Sequence, residues 1–341
     1  MDRIPLLLIT GFLGSGKTTF VESLLRNPAF HRSALLVNEI GTTGIDQDVL
    51  RQSLSSEPIV LPGGCICCSM GRDLGYALRE LELRRERGQV APFDRVVIET
   101  TGLADPVPVI EQLATDPWLR ARYSLTRTIT LCDGVAGEAT LREHAESVSQ
   151  VVQADLLLVS KEDLSAQVGP SLRRTLGRMN PLAQVYRVVH GAVDGLSLSQ
   201  LLAPSPRAAA PLKSQPGLKT LRSSGGICHA VSSATIQLQA LLPWRRWANA
   251  LDRVVSQYSV DCLRVKGILH VTDAQHPILV QGVRTTFSAP VPLPALNESR
   301  GASRVVLIAK GGVAISMRQA LIGHLGTSAS LREASGAISV A

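Results

Sequence analysis

PLLLITGFLGSGKTTF, from Pro5 to Phe20, sets the frame for the rest of the chain. An apolar run ends at Gly11. From Gly11 to Thr18 the residues follow G-x-x-x-x-G-K-[ST], and a helix-like segment begins at once. Strand, glycine-rich turn and helix in that order form an anion cradle. Gly11, Gly14 and Gly16 free the backbone, so that N–H groups from Gly14 and Ser15 to Thr18 curl around a polyphosphate. The helix N-terminus adds partial positive charge. Lys17 suits the β- and γ-phosphates, and the Thr18 hydroxyl suits Mg²⁺. Only six of the 35 basic residues are lysines (17, 161, 213, 219, 266 and 310), so a lysine kept at this position is informative.

Outward from this loop, short apolar runs alternate with helical patterns over the first 200 residues. Strands are expected at Pro5–Thr10, Ala34–Asn38, Pro58–Leu61, Arg95–Glu99, Arg127–Asp133, Asp155–Ser160 and Gln184–Val188. Helices are expected at Lys17–Arg26, Arg72–Arg87, Leu141–Gln153 and Ser171–Arg178. Continuous runs such as VVIE and LLLV suit strands covered on both faces, hence an α/β domain with a parallel sheet. The Pro-, Ser- and Gly-rich stretch that follows has little to bury and reads as a linker. Beyond it, a strand at Ile227–Leu238, a helix from Pro243–Trp244 and β-rich runs at Cys262–Val271, Ile278–Phe287 and Arg304–Ile308 precede a helix at Ala314–Leu325. The expected organisation is a phosphate-loop domain over 1–203, a linker over 204–226, a smaller α+β domain over 227–329 and a tail over 330–341.

Composition narrows the classes. With 341 residues, about two domains are expected. The net charge of +7 permits an anionic partner, but no basic run is interleaved with aromatics, which argues against nucleic acid. No uncharged apolar stretch approaches the roughly 18 residues of a membrane span. The opening MDRIPLLLITGFLGSG has a signal-like core, yet cleavage there would destroy the phosphate loop, so a cytoplasmic protein is expected.

Two further strand ends carry chemistry. DRVVIETTGLADP places Glu99 at the end of a buried strand, where a carboxylate near a phosphate loop can hold Mg²⁺ through water. The Gly102 backbone N–H is placed to sense a γ-phosphate. DLLLVSKEDL follows a strand with Lys161 and Asp163, close to [NT]-K-x-D. Such an aspartate accepts the paired donors of guanine, which adenine lacks, while the lysine stem packs on the ring. Ser160 stands where asparagine normally braces that loop, and a shorter hydroxyl predicts weaker guanine affinity or selectivity. Read without a ligand, Asp163 is the cap of a helical turn.

GGCICCSM brings Cys65, Cys67 and Cys68 together after two glycines. Thiolates at this spacing converge on one soft cation; a redox pair and plain buried thiols are the competing readings. Softness favours Zn²⁺ or Cu(I), with Co²⁺ and Fe²⁺ compatible. The fourth ligand is open. Glu39, at the end of the second strand, is a metal ligand, an outer-shell group of Mg²⁺ or a surface charge. His144 and His229 are conceivable extra ligands.

GFLGSGKTT, VNEIGTTGID, GGCICC, IETTGLADP, QADLLLVSKEDL, MNP and LRVKGIL, in this order, resemble the CobW-type metallochaperone GTPases over nearly the whole chain. The resemblance implies GTP binding with slow hydrolysis, transition-metal binding at CxCC and delivery to a client metalloprotein or cofactor-biosynthesis enzyme. Carried over by motif, Gly14 to Thr19 hold phosphates, Thr18 and Glu99 serve Mg²⁺, Lys161 and Asp163 read guanine, and Cys65, Cys67 and Cys68 bind the metal. Ser160 departs from the pattern, and the histidine-rich stretch of many members is missing, which questions metal storage rather than transfer. A small-molecule kinase and a non-enzymatic metal or redox sensor are the alternatives. The oligomeric state is open, a nucleotide-dependent dimer being one outcome.

Overall fold

The computed structural model describes residues 3–37, 72–164, 169–202, 231–294 and 301–326. The expected strand Pro58–Leu61, Glu39, the three clustered cysteines, His229, the linker and the tail lie outside the described residues. The chain divides into two compact units, one of residues 1–177 and 183–205, the other of 178–182 and 206–341.

The first unit is built on a seven-stranded sheet. Its strands are β1 (Ile4–Gly11), β2 (Ser33–Val37), β3 (Arg95–Glu99), β4 (Tyr123–Asp133), β5 (Leu156–Ser160), β6 (Gln184–Val189) and β7 (Ala192–Val193), in the order β2-β3-β1-β4-β5-β6-β7. All pairings are parallel except that of β6 with β7. The helices are α1 (Lys17–Leu25), α2 (Arg72–Glu86), α3 (Val107–Thr115), α4 (Pro117–Arg122), α5 (Gly137–Glu143), α6 (Ala145–Gln153), α7 (Gly169–Met179) and α8 (Leu198–Leu202). Leu6, Leu7, Leu8 and Ile9 of β1 are all fully buried, as a strand central to a two-sided sheet requires. Leu7 and Ile9 pack with Phe20, Val21 and Leu24 of α1, so the glycine-rich turn is held between two anchored elements.

The strand order reverses around β1, with β3 on one side and β4 on the other. Ligands of open parallel sheets bind in the crevice at such a switch point, at the carboxyl ends of the strands. Gly11, Glu99, Asp133 and Ser160 all end strands there.

Three expectations for this unit change. The helix expected over Leu141–Gln153 is two helices, because His144 adopts an extended backbone (φ −125°, ψ 116°) that closes α5 and opens α6. The strand expected from Arg127 starts at Tyr123, and its register on β1 slips between Leu6 and Leu7. Asp155, expected inside β5, precedes it; its carboxylate accepts the Thr128 N–H at 3.0 Å and its own N–H donates to Thr128 O at 2.8 Å.

The second unit is an antiparallel sheet of β8 (Val231–Leu238), β9 (Cys262–Leu269), β10 (Ile278–Val283), β11 (Thr286–Phe287) and β13 (Ser303–Lys310), in the order β11-β10-β9-β13-β8, with β12 (Val291–Pro292) on β10. Helices α9 (Trp244–Gln257) and α10 (Val313–Leu325) lay Trp247, Leu251, Val254, Met317, Leu321 and Leu325 on one face. The β-rich run expected over Ile278–Phe287 is a hairpin of β10 and β11. Arg284, at φ 50°, reverses the chain, and Gly282 leaves room for the Phe287 ring, which a Cβ would meet at 2.8 Å.

Candidate functional site

The phosphate-loop residues adopt the backbone that their sequence anticipates. Gly11, Gly14 and Gly16 have φ of 144°, 72° and 89°, and Gly16 caps α1 in the left-handed region. A Cβ at Gly11 would stand 2.4 Å from Leu131 O, so glycine is obligatory there on sterics as well. Lys17 donates to Phe12 O at 3.0 Å across its own loop. Burial pulls its pKa below the ordinary lysine value, opposed by the Glu99 carboxylate.

Thr18 Oγ1 donates to Glu99 Oε1 at 2.9 Å, joining residues 81 apart in the chain. Glu99 is nearly fully buried at the end of β3. A hydroxyl and a carboxylate oxygen this close are the hard donors that Mg²⁺ takes, so the residues present fit that ion. Behind Glu99, Thr100 Oγ1 donates to Thr10 Oγ1 at 2.8 Å, and Thr100 N–H to Ile9 O.

Gly102 sits against the phosphate loop: a Cβ there would lie 2.5 Å from Leu13 N. From the other side α6 straps the same segment. Gln150 Nε2 donates to Gly102 O at 3.1 Å and Ala104 O at 2.9 Å, and Ser149 Oγ to Asp105 Oδ1 at 2.6 Å. His144, at the break before α6, stacks on Phe12 with ring centroids 4.4 Å apart. It is engaged with the phosphate loop rather than with any metal-ligand cluster among the described residues.

Ser160 braces its loop in spite of its length. Its hydroxyl donates to Ser15 O at 2.8 Å, with Cys132 O a longer 3.3 Å away, tying the base-reading segment to the phosphate loop. Lys161 takes a left-handed backbone (φ 57°), and its ammonium meets Asp133 Oδ2 at 2.7 Å. Asp163 is exposed in the 3₁₀ turn Glu162–Leu164, while Glu162 is held by Arg173 at 2.7 Å and lies 3.8 Å from Arg187. At the end of β6, His190 and Gly191 (φ 47° and 83°) make a two-residue turn with both residues in the left-handed region, set against Thr19 O and Ser23 of α1.

Gly11, Gly14, Ser15, Gly16, Lys17, Thr18, Thr19, Glu99, Gly102, Lys161 and Asp163 are therefore assembled on one edge of one sheet. Glu39, Cys65, Cys67 and Cys68 lie outside the described residues. The sequence reading passed over Asp133, Ser149, Gln150 and the His190–Gly191 turn. Asp133 ends a strand just as Glu99 does, a signal that was available; nothing local marks Gln150.

Residues 5–187 match the CobW/HypB/UreG nucleotide-binding domain, and residues 231–324 match the cobalamin synthesis protein CobW C-terminal domain. The chain belongs to the CobW/HypB/UreG family. Within it, the zinc chaperone YjiA of Escherichia coli K12 is 30% identical over 315 residues, covering 90% of this chain and 94% of YjiA. The zinc chaperone CobW of Pseudomonas aeruginosa is 27% identical over 362 residues, covering 94% and 92%. The crystal structure of Zn(II)-bound YjiA GTPase from E. coli matches with a TM-score of 0.68 at 26% identity, covering 95% of this chain and 99% of that one. Among the described residues no helix is long and apolar enough to cross a membrane.

Proposed function

We propose that this CobW-family protein is a cytoplasmic, GTP-hydrolysing zinc chaperone that hands its metal to a client metalloprotein or a cofactor-biosynthesis enzyme. The observation that carries the reading is the 2.9 Å bond between Thr18 and Glu99, which joins the phosphate loop to the acidic end of β3 at the switch point of the sheet. The two family matches and the zinc-chaperone relatives support it.

In this reading residues 1–203 form the GTPase domain, 204–226 the linker, 227–329 the client-recognising domain and 330–341 a tail. Gly11, Gly14, Ser15, Gly16, Lys17 and Thr19 hold the polyphosphate. Lys17 leaves Phe12 O for the β- and γ-phosphates, where its charge offsets the one that develops on hydrolysis. Thr18 and Glu99 would hold Mg²⁺, which would supply neutralising positive charge to the polyphosphate. Gly102 offers its N–H to the γ-phosphate, and Asp163 accepts from the guanine edge while Lys161 covers the ring. Cys65, Cys67 and Cys68 take zinc as cargo, with Glu39 a candidate further ligand, and loss of the γ-phosphate loosens the metal.

The test is a zinc titration of the whole protein with and without Mg-GTP, alongside the variant in which all three cysteines are serine. A nucleotide-induced change in zinc affinity of tenfold or more, abolished in the variant while GTP binding is kept, is the expected result. Equal affinity in both states leaves two unrelated sites and ends the chaperone reading.

A further inference from the structure

Asp133 has no assigned part in the reading above, yet three independent features converge on it. Its Oδ2 receives the Lys161 ammonium at 2.7 Å. Its Oδ1 accepts the N–H groups of Val135 and Ala136, at 2.8 and 3.0 Å, which leaves the carboxylate a single orientation. The following residue, Gly134, donates its N–H to Ser160 O at 2.7 Å, and a Cβ on it would stand 2.4 Å from that oxygen. The turn after β4 is thus shaped to press against the turn after β5.

Lys161 holds a left-handed backbone that a side-chain-bearing residue seldom adopts, and such strain persists only where the surroundings impose it. Its carboxylate neighbour Glu162 is occupied by Arg173 and faces Arg187. The Lys161 side chain is 39% exposed and that of Asp133 15%, and a pair this open adds little to fold stability. What it does fix is direction. A lysine stem free in water samples many rotamers, and a flat contact with a ring selects one of them.

Building on the proposed guanine site, we propose that Asp133 is a positioning residue for base recognition: its ion pair holds the Lys161 stem as a preformed platform for the purine ring, and so sets guanine-nucleotide affinity without touching the nucleotide. The phosphate loop is a separate contact, braced by Ser160 rather than by Asp133.

The experiment compares GDP and inorganic tripolyphosphate binding, by calorimetry, in the full chain and its variants. Asp133→Asn keeps an oxygen for Val135 and Ala136 but removes the charge. It is expected to weaken GDP about tenfold and leave tripolyphosphate within twofold. Asp133→Glu restores the carboxylate and should recover at least half of the loss on a logarithmic scale. In a Lys161→Met background Asp133→Asn should cost less than twofold, because the two residues act as one. Steady-state GTP hydrolysis should show the loss in KM rather than kcat. Equal weakening of GDP and tripolyphosphate, full GDP affinity in Asp133→Asn, or an undiminished effect without Lys161 would each overturn the proposal. Should Asp133→Asn fail to fold, GDP affinity in Asp133→Glu no better than in Lys161→Met does so as well. A wild-type protein that binds ADP as tightly as GDP would instead bring down the guanine reading beneath it.

Discussion

A methyl group at Gly102 would stand 2.5 Å from Leu13 N, and a backbone contact of that kind is relieved only by moving one of the two loops. Gly102→Ala should therefore displace the segment meant to sense the γ-phosphate while leaving the rest of the phosphate cradle in place. The expected outcome is GDP affinity within about threefold of wild type and a fall in GTP turnover of at least tenfold. Unchanged turnover in a single-turnover assay would remove Gly102 from the site. At this scale much was legible in advance. Gly11, Lys17, Thr18 and Glu99 announced themselves, because their chemistry is tied to a local spacing or a strand end. Ser160 was legible only in part: its shorter side chain predicts weaker guanine affinity or selectivity, whereas its 2.8 Å bond to Ser15 O depends on the approach of β5 to the phosphate loop.

Among the elements, the break at His144 matters most. Residues from Leu141 to Gln153 have helical periodicity throughout, so nothing in the pattern separates α5 from α6. The extended backbone of His144, stacked on Phe12, re-aims α6 so that Ser149 and Gln150 reach the segment from Gly102 to Asp105. Gln150 is 1% exposed, and both carbonyls that it serves belong to that segment. Gln150→Ala leaves both without this donor and should destabilise the first unit by about 2–4 kcal/mol, measured by urea unfolding. A loss below about 0.5 kcal/mol would mean that α6 does not strap the loop. The hairpin of β10 and β11 makes the same point. The sequence marked Ile278–Phe287 only as a β-rich run, and the turn at Arg284 is defined by the pairing of β10 with β11.

In the molecule as a whole, each unit carries its own core, one about β1 and α1, the other about α9, α10 and the antiparallel sheet. Trp247 is fully buried in the second. Trp247→Ala should cost that unit about 3–5 kcal/mol, seen as an earlier unfolding transition. GDP affinity should stay within twofold, since every residue assigned to the nucleotide belongs to the first unit. A coupled loss of GDP binding would show that the two cores do not fold independently.

The sequence by itself determined the class of fold, the glycine-rich turn between β1 and α1 and the place of Glu99 at a strand end, because each depends on residues a few positions apart or on a single strand end. Only the tertiary structure decided what holds those groups in place: Asp133 on Lys161 across 28 residues, Ser160 on Ser15 across 145, Gln150 on Gly102 across 48. Such contacts arise because a parallel sheet gathers the carboxyl ends of distant strands along one edge, and no local pattern records which ends become neighbours.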